Sequence, residues 1–361
     1  MGIGAKVSDR IKEPDRAPPD ATAGDGGQMR RALERFKIRA NRWVRRRTAW
    51  AGLRRVDARP LPEWKPDEVR LIVVCRNEAL RLPYMLKYHF DLGVSRVLLV
   101  DNNSTDGTRE LAAADPRIHV WSSPEAYKGP LYWQEPLLRR FAVGRWCLVL
   151  DADELFVYPQ MDRLDLPGLA AALEAAGAEA LHCLFIEMFS REPIGQVRYR
   201  AGDDLRAAAP WFDAAGYVRK KYRRVFDGPA PEFIYMGGTR SRVFAEEFGC
   251  SKYPFFKYAP GMFLRRGLHT IEGARLAASQ GAILHFKYLQ DFKDKAFREA
   301  ERGVYWNAAA EYKAYAERFR REGDFSLWHS GAAKYAGWRQ LIDLGLMETG
   351  PELAEPAERL P

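Results

Sequence analysis

An apolar run that ends in three closely spaced carboxylates constrains this chain more than any other stretch. Residues 146–150 read Trp-Cys-Leu-Val-Leu, and Asp151, Asp153 and Glu154 follow directly. A short apolar run bounded by polar residues is typical of a buried strand. In a parallel sheet, ligands bind just beyond the carboxyl ends of the strands. The stretch therefore predicts a strand that ends at a polar site.

The two aspartates of this stretch favour a bound cation. In extended backbone alternate side chains share a face, so Asp151 and Asp153 would project the same way. Two neighbouring carboxylates repel each other unless a cation lies between them. Mg²⁺ and Mn²⁺ prefer oxygen ligands and keep positions open for phosphates. The alternative is that the acids cap a helix that follows the strand, because aspartate is a good N-cap residue.

Two further apolar runs upstream also end in polar residues. Residues 69–75 lead into Arg-Asn-Glu at 76–78, and residues 97–100 lead into Asp-Asn-Asn-Ser-Thr-Asp-Gly-Thr at 101–108. Each run precedes a helical pattern, so the three runs predict successive β-α-β units and a mainly parallel sheet with right-handed crossovers. All three polar tips then lie along one edge of that sheet.

These tips resemble the family 2 glycosyltransferases of the GT-A fold. The matching segments are Cys-Arg-Asn-Glu at 75–78, Val-Asp-Asn-Asn-Ser-Thr-Asp-Gly-Thr at 100–108 and Asp-Ala-Asp-Glu at 151–154. A bacterial subgroup of the family also carries a His-Phe-Lys-Tyr-Leu segment, here residues 285–289. The resemblance covers roughly residues 68 to 320. It implies a Rossmann-like α/β domain, a nucleotide-diphosphate-sugar donor, with a UDP-sugar favoured, and a Mn²⁺ or Mg²⁺ cofactor.

The resemblance also implies roles for individual residues. The metal ligands would be Asp151, Asp153 and a late histidine, His285, although a single histidine in an apolar strand is also common as a hydrogen-bonded core residue. Lys128 could neutralise a phosphate or be a solvated loop lysine, and Arg240 could face a pyrophosphate or an anionic acceptor. The residues expected to bind the nucleotide sugar are Arg76, Asn77, Glu78, Asp101, Asn103, Lys128, Asp151 and Arg240.

The general base is predicted to be Glu187 or Asp213. Glu187 is the sole acid in the apolar run 180–189, and burying a carboxylate without a partner is costly. An inverting transferase needs a base that takes the proton of the acceptor hydroxyl, and the resemblance places Glu187 near the acceptor. Asp213, in Trp-Phe-Asp at 211–213, is the second candidate. The alternative for Glu187 is an ion pair with an arginine.

Most of the positive charge lies in one segment near the N-terminus. Residues 30–55 hold ten Arg and one Lys against one Glu, a charge of +10 that leaves −1 for the rest of a chain of formal net charge +9. The segment predicts a basic amphipathic helix over residues 29–57. The helix could bind an anionic membrane surface, pack on the domain with a solvated basic face, or bind nucleic acid, the least favoured of the three. Its apolar residues recur at helical spacing: Leu33, Phe36, Ala40, Trp43 and Trp50.

Composition divides the remaining chain into segments. Residues 1–28 are rich in Pro, Gly, Ala and Asp and are predicted to be disordered. Residues 58–67 predict an extended, proline-containing linker, residues 68–290 the catalytic domain, residues 291–348 a helical region and residues 349–361 a frayed tail. Four cysteines without paired spacing favour a reducing compartment. The expected location is the bacterial cytoplasm, peripheral at the inner face of the membrane.

The sequence as a whole predicts a metal-dependent, inverting glycosyltransferase with a cell-envelope glycan or lipid-linked acceptor. One rival is a nucleotidyltransferase, which has a similar sheet and metal-binding acids but is expected to carry a glycine-rich loop after the first strand. Residues 75–78 contain no glycine. The second rival is a non-catalytic membrane- or nucleic-acid-binding protein on a transferase scaffold. The presence of both aspartates argues against that rival.

Overall fold

A central sheet with helices on its faces forms the body of the protein. The computed structural model describes residues 25–244, 248–303 and 306–354, so the predicted disordered segment up to residue 24 and the predicted tail from residue 355 lie outside the described residues. The strands are β1 (Arg54–Arg55), β2 (Val69–Cys75), β3 (Val94–Asp101), β4 (Ile118–Ser122), β5 (Trp146–Leu150), β6 (Glu154–Val157), β7 (Ala180–Phe189), β8 (Trp211–Asp213), β9 (Tyr217–Lys221), β10 (Phe233–Gly237), β11 (Ser251–Lys257), β12 (Phe263–Arg265), β13 (Thr270–Glu272), β14 (Leu276–His285) and β15 (Ala332–Lys334). The helices are α1 (Asp25–Gly52), α2 (Leu82–Asp91), α3 (Thr108–Ala114), α4 (Leu131–Phe141), α5 (Leu166–Ala175), α6 (Leu205–Ala208), α7 (Gly238–Phe244), α8 (Phe292–Arg302), α9 (Trp306–Glu322) and α10 (Trp338–Asp343).

The first half of the main sheet is parallel. β2 pairs with β3 and with β5, and β3 pairs with β4, all in parallel register. β2 and β5 are rich in Val, Leu and Ile and are buried along their whole length, as expected for parallel strands that helices cover on both faces. The carboxyl ends of β2, β3 and β5 therefore lie along one edge. The predicted α/β fold with a mainly parallel sheet is confirmed.

The second half of the sheet brings distant segments to this same edge. β11 lies antiparallel between β5 and β7, and β14 runs parallel to β7. In that pairing His285 lies opposite Glu187. β6 is antiparallel to β14 on the other side, where His285 lies opposite Glu154. One histidine is therefore flanked in the sheet by an acid from each neighbouring strand.

The acidic stretch after β5 forms a turn between two strands. Residues 151–153 are neither helical nor extended, and β6 begins at Glu154. The expectation that Asp151 and Asp153 share a face of one strand is therefore wrong. The alternative that these acids cap a helix is also wrong, because a strand follows them. The turn directs the two aspartates to different surroundings.

The basic helix α1 packs on the domain through arginines. It begins four residues before the predicted helix and ends at Gly52, and β1 then pairs antiparallel with β4. Arg42 and Arg46 both bind the carboxylate of Glu135 in α4. Ala49 is fully buried, and Trp50 packs edge-on against Phe141. The structure thus supports packing on the domain, one of the roles that the sequence left open.

Five apolar side chains of α1 face away from the domain, in contrast to Ala49 and Trp50. Met29, Leu33, Phe36, Trp43 and Val44 are between 52% and 76% exposed. At 3.6 residues per turn these five positions fall within an arc of about 100°, so they form one stripe of the helix. None of the helices in the described residues is long and apolar enough to cross a bilayer.

The C-terminal region covers one end of the sheet. α8 and α9 pack against each other through aromatic side chains, with Phe292 in contact with both Tyr315 and Phe319. The region was predicted as helical, and α10 is a further helix, but β15 forms a short strand that pairs with β8. Because α9 contributes side chains to the edge where β2, β5 and β14 end, the helical region belongs to the site rather than to a separate unit.

Candidate active site

A cleft of about 1000 Å³ opens at the carboxyl edge of the sheet. The tips of β2 and β5 line it on one side, and the end of β14 lines it together with α9. This is the position at which open parallel sheets bind ligands, because the ends of several strands and the loops after them converge there. The cleft is the candidate active site.

Asp153, Glu154 and His285 form a buried cluster in the cleft. One ligand atom from each residue lies within 4.8 Å of the ligand atoms of the other two. Pairing between β6 and β14 places Glu154 beside His285, and the turn before β6 places the Asp153 carboxylate 3.1 Å from His285 Nε2. Two carboxylates and an imidazole are thereby concentrated at one point.

His285 is held between two carboxylates. Its Nδ1 donates to Glu187 Oε2 at 2.8 Å, and its Nε2 donates to Asp153 Oδ2 at 3.1 Å. Burial acts to lower the pKa of His285, but the two carboxylates outweigh burial and raise the pKa to about 9. Burial likewise acts to raise the pKa of Asp153, while His285 holds it well below its usual range. The imidazole is therefore positively charged at neutral pH when no metal is bound.

The donor set of this cluster fits Mn²⁺ or Mg²⁺. Ligand atoms about 2.1 Å from such an ion lie up to about 4.2 Å apart, so an inward shift of less than ~1 Å would bring all three atoms into range. An imidazole binds a metal only after its nitrogen loses the proton, so loading would release a proton from His285. The predicted assignments of Asp153 and His285 agree with this cluster. Glu154 takes the place that was predicted for Asp151.

Lys252 supplies a buried positive charge beside the cluster. Its side chain is 2% exposed and binds the carboxylates of Glu154 and Asp151, with Asp151 Oδ2 at 3.3 Å from Nζ. Burial acts to lower the pKa of Lys252, but the two acids outweigh burial and raise it. The side chain of Asp151 is 40% exposed, unlike that of Glu154. Asp151 therefore faces the open cleft while Lys252 holds it in place.

Glu187 lies behind His285 rather than on the cleft wall. It is 4% exposed and forms an ion pair with Arg240, whose guanidinium also binds Glu311 of α9 at 2.9 Å. Burial acts to raise the pKa of Glu187, but Arg240 and His285 outweigh burial and lower it. A carboxylate with a lowered pKa is a weak base. The geometry matches the ion pair that the sequence left open and does not support Glu187 as the general base.

Asp213 lies in a different part of the molecule. It lines a smaller cavity of about 400 Å³ together with Arg242 and His329. Arg242 Nε donates to it at 2.9 Å and His329 Nε2 lies 2.7 Å from its carboxylate. Because both partners occupy the carboxylate outside the cleft, the placement does not support Asp213 as the second candidate base.

Five of the residues predicted to bind the nucleotide sugar line the cleft. They are Arg76, Glu78, Lys128, Asp151 and Arg240. Glu78 binds Lys295 of α8 at 2.6 Å, and Lys128 binds Glu125 at 2.5 Å. Lys128 is thus an ion-paired residue of the cleft wall rather than a fully solvated one.

The other three predicted residues shape the turns at the strand tips. The buried carboxylate of Asp101 accepts hydrogen bonds from the backbone N–H of Ser104, at 3.2 and 3.3 Å. The side chain of Asn77 accepts from the N–H of Thr105 at 2.8 Å. Asn77 and Asn103 have φ of 55° and 59°, a left-handed conformation that asparagine tolerates. Asn77 thus links the tips of β2 and β3, Asp101 closes the turn after β3, and none of the three residues lines the cleft.

Three residues of the site, two on the cleft wall and one behind it, were missed by reasoning from the sequence. Asn102 lines the cleft where Asp101 and Asn103 were expected. Glu154 belongs to the predicted metal motif at 151–154, but only Asp151 and Asp153 of that motif were predicted as metal ligands. Lys252 had a visible signal, since it is a lone cation in the apolar segment 251–256, where a buried charge requires a partner.

Comparison with known proteins gives only distant structural similarity. No protein-family model matches the chain, and no curated protein sequence matches it. A mannosyltransferase from Pyrobaculum calidifontis in complex with GDP-Man and Mn²⁺ is similar in structure at 15% identity and a TM-score of 0.32, over 82% of this chain and 81% of that one.

Two nucleotidyltransferases are similar at a TM-score of 0.26. One is a putative glucose-1-phosphate thymidylyltransferase from Bacillus anthracis in complex with a sucrose, at 8% identity over 79% of this chain and 98% of that one. The other is a UTP-bound UGPase from Acinetobacter baumannii, at 10% identity over 74% of this chain and 85% of that one. All three similar structures are nucleotide-sugar or nucleotide-using transferases.

Proposed function

We propose that the protein is a metal-dependent, inverting glycosyltransferase that transfers a sugar from a nucleotide-diphosphate donor, with a UDP-sugar favoured, to a cell-envelope glycan or lipid-linked acceptor. The observation that carries the proposal is the cluster of Asp153, Glu154 and His285 at the carboxyl edge of the sheet. It combines two oxygen ligands with an imidazole in a cleft large enough for a nucleotide sugar. Arg76 and Lys128 also line this cleft.

The chain's own residues have separable roles in this mechanism. Asp153, Glu154 and His285 would hold Mn²⁺ or Mg²⁺, which supplies neutralisation of the charge that develops on the leaving diphosphate. Glu187 orients His285, and such support behind a ligand commonly affects metal affinity. Lys252 holds Asp151 toward the open cleft, where the part-exposed carboxylate of Asp151 would take the proton of the acceptor hydroxyl. Arg76, which lines the cleft directly after β2, would bind the donor.

Two product measurements test the reaction. We expect the protein to release UDP or GDP from a matching nucleotide sugar only when Mn²⁺ or Mg²⁺ is present, and NMR of the glycoside formed should show an inverted anomeric centre. A nucleotidyltransferase is the second candidate because it has the same arrangement of sheet and acids. It would instead release pyrophosphate from UTP and a sugar 1-phosphate. Pyrophosphate release with no hydrolysis or transfer of a nucleotide sugar would refute the proposal.

Replacing Asp153 tests the metal assignment. Asp153→Ala removes one predicted ligand, so Mn²⁺-dependent UDP binding should weaken at least roughly tenfold while the fold is retained. Calorimetric titration of UDP with Mn²⁺ measures the affinity, and circular dichroism checks the fold. Asp162→Ala is the matched control, because that exposed aspartate pairs with Arg339 outside the cleft. Equal UDP affinity in wild type and Asp153→Ala would show that the assignment is wrong.

A further inference from the structure

A second imidazole lines the cleft outside the proposed metal site. His269 is the last residue of the loop between β12 and β13. Its ring is part-exposed on the cleft wall. It is not one of the proposed metal ligands, so its chemistry in the cleft has to be worked out from its own contacts.

A backbone hydrogen bond fixes the tautomer of His269. Its Nδ1 lies 2.7 Å from the carbonyl oxygen of Ser251 in β11. A carbonyl oxygen can only accept, so Nδ1 carries the proton and donates it to this hydrogen bond. Desolvation and the nearby charge of Lys252 lower the pKa of His269 to about 3, so the ring is neutral at pH 7. Nε2 therefore carries a lone pair and can act only as a hydrogen-bond acceptor.

The lone pair of Nε2 is available to a ligand. Among the residues that the structure describes, none forms a hydrogen bond with this atom. The nearby cations Lys252 and Arg240 are held by carboxylates, Lys252 by Glu154 and Arg240 by Glu187. A ligand that meets Nε2 must therefore supply the donor, which is a hydroxyl or an N–H group.

A left-handed turn places His269 on the cleft wall. The three residues before it, Arg266, Gly267 and Leu268, have φ of 51°, 64° and 71°. This conformation is costly for arginine and leucine, and it persists only where the surroundings enforce it. Here Leu268 is buried in the core, and β12 and β13 pair on either side of the loop. Strained backbone of this kind is concentrated at ligand-binding sites, so the turn favours a role for His269 in binding.

Aromatic rings flank His269 and connect it with the metal cluster. The rings of Phe185 and Phe248 meet the imidazole edge to face, with centroids 5.6 and 6.3 Å away. Both phenylalanines line the cleft, and Phe185 also contacts the ring of His285 at 4.6 Å. A sugar attached to a diphosphate on the proposed metal would lie within reach of His269, because one aromatic ring separates the two imidazoles. Apolar walls with a few placed polar atoms are typical of small-molecule sites.

We propose that His269 Nε2 accepts a hydrogen bond from a hydroxyl group of the donor sugar, and that the site selects sugars that carry this hydroxyl. The proposal rests on the proposed function for the identity of the ligand as a nucleotide sugar. A hydroxyl suits this position better than a phosphate oxygen, because the lone pair of Nε2 repels an anionic oxygen. A sugar without the hydroxyl leaves Nε2 unpaired and loses affinity. His269 is thus a specificity-determining residue.

A pair of variants separates the roles of the two ring nitrogens. Asparagine can place an amide N–H near the position of Nδ1 and keep the hydrogen bond to Ser251, but it has no group at the position of Nε2. Glutamine reaches the position of Nε2, where its amide oxygen can accept. With Mn²⁺ present, His269→Asn should weaken nucleotide-sugar binding about tenfold, leave binding of the nucleoside diphosphate within about twofold, and be partly rescued in His269→Gln. His329→Asn is the control, because that histidine lies outside the cleft beside Asp213.

Deoxy sugars identify the hydroxyl that binds. The parent donor is whichever of UDP-glucose, UDP-galactose and GDP-mannose binds wild type most tightly, and calorimetry compares it with its monodeoxy analogues. One analogue should bind wild type about tenfold more weakly than the parent, and should bind His269→Asn as tightly as the parent does. If the variant weakens the parent and every analogue by the same factor, the His269 assignment is wrong while the proposed function stands. If wild type binds no donor at all, the proposed function is refuted and the assignment fails with it.

Nitrogen NMR tests the state of Nε2 independently of affinity. In protein labelled with ¹⁵N-histidine, the signal that disappears from the spectrum of the chain's six histidines in His269→Asn belongs to His269. At pH 7 its Nε2 should have the chemical shift of an unprotonated nitrogen. The signal should move when the parent donor binds, and much less when the nucleoside diphosphate alone binds. A protonated Nε2 in the free protein, or an equal shift with both ligands, would overturn the proposal.

Discussion

The buried ion pairs of Lys252 allow a quantitative test of how the acidic cluster is held. Lys252 is 2% exposed and is bound to Glu154, itself 1% exposed, and to Asp151. Lys252→Met keeps a side chain of similar length but removes the charge. Two carboxylates would then lose their cation, one of them fully buried. Breaking a buried pair by removing one partner costs about 3–5 kcal/mol.

A second lysine in the same strand serves as the control. Lys257 forms an ion pair of 2.6 Å with Glu174, but the two side chains are 34% and 54% exposed. Solvent screens such a pair, so Lys257→Met should cost no more than about 1 kcal/mol. The two variants make the same chemical change in β11 and differ mainly in burial. Urea denaturation at neutral pH, followed by circular dichroism, measures both free energies of unfolding.

The same experiment with Mn²⁺ connects stability to the site. Without Lys252 the acids have no internal cation, so Mn²⁺ should stabilise Lys252→Met more than it stabilises wild type, since a ligand that binds the folded state raises the free energy of unfolding. With an unfolding entropy of about 2.1 cal/mol/K per residue over 361 residues, the loss of about 3–5 kcal/mol corresponds to a melting temperature lower by roughly 4–7 °C. A loss within 1 kcal/mol, equal to that of Lys257→Met, would refute the reasoning that Lys252 neutralises the cluster.

Two further predictions concern histidine partners. Glu187→Gln should weaken Mn²⁺ affinity about 10–100-fold because His285 loses the carboxylate that orients it; a large loss of turnover with unchanged Mn²⁺ affinity would restore Glu187 as the base. His89 is fully buried, and Nδ1 donates to the carbonyl of Met85 while Nε2 accepts from the N–H of Phe156. Burial lowers the pKa of His89 from 6.5 to about 4. As the pH drops below 6.5, His89 becomes protonated in the unfolded state but not in the folded state, so the free energy of unfolding falls. Between pH 7 and 5 this loss is about 2 kcal/mol, and His89→Gln should flatten the pH dependence by that amount in urea denaturation; an unchanged slope would contradict it.

The sequence by itself determined the local elements and the edge at which they meet. Apolar β-branched runs such as residues 69–75 can be stable only as buried strands, and a helical pattern after each run requires parallel pairing. The polar tips therefore had to converge. The joint assignment of Asp153 and His285 to one site came instead from the resemblance to family 2 glycosyltransferases, because strand periodicity alone did not bring residue 285 to this edge.

Only the tertiary structure decided which tip residues reach the ligand. Asp101 and Asn77 were expected to bind the donor, but their side chains accept backbone hydrogen bonds that close the turns. Whether a polar side chain at a tip faces the cleft depends on the turn geometry, which periodicity does not specify. Turn geometry also explains why Glu154, and not Asp151, belongs to the cluster. Residues 151–153 form a turn instead of continuing the strand.

The register of the strands and the face of α1 that packs on the domain were likewise decided by contacts between residues far apart in the chain. The position of His285 between Glu187 and Glu154 follows from the pairing of β14 with β7 and β6, and a shift by one residue would turn the imidazole to the other face of the sheet. The periodicity of α1 defined an apolar stripe and a basic face but not which of them packs inward. The basic face does, because Glu135 of α4 and the Phe226–Phe263 ring pair lie where its arginines can reach them.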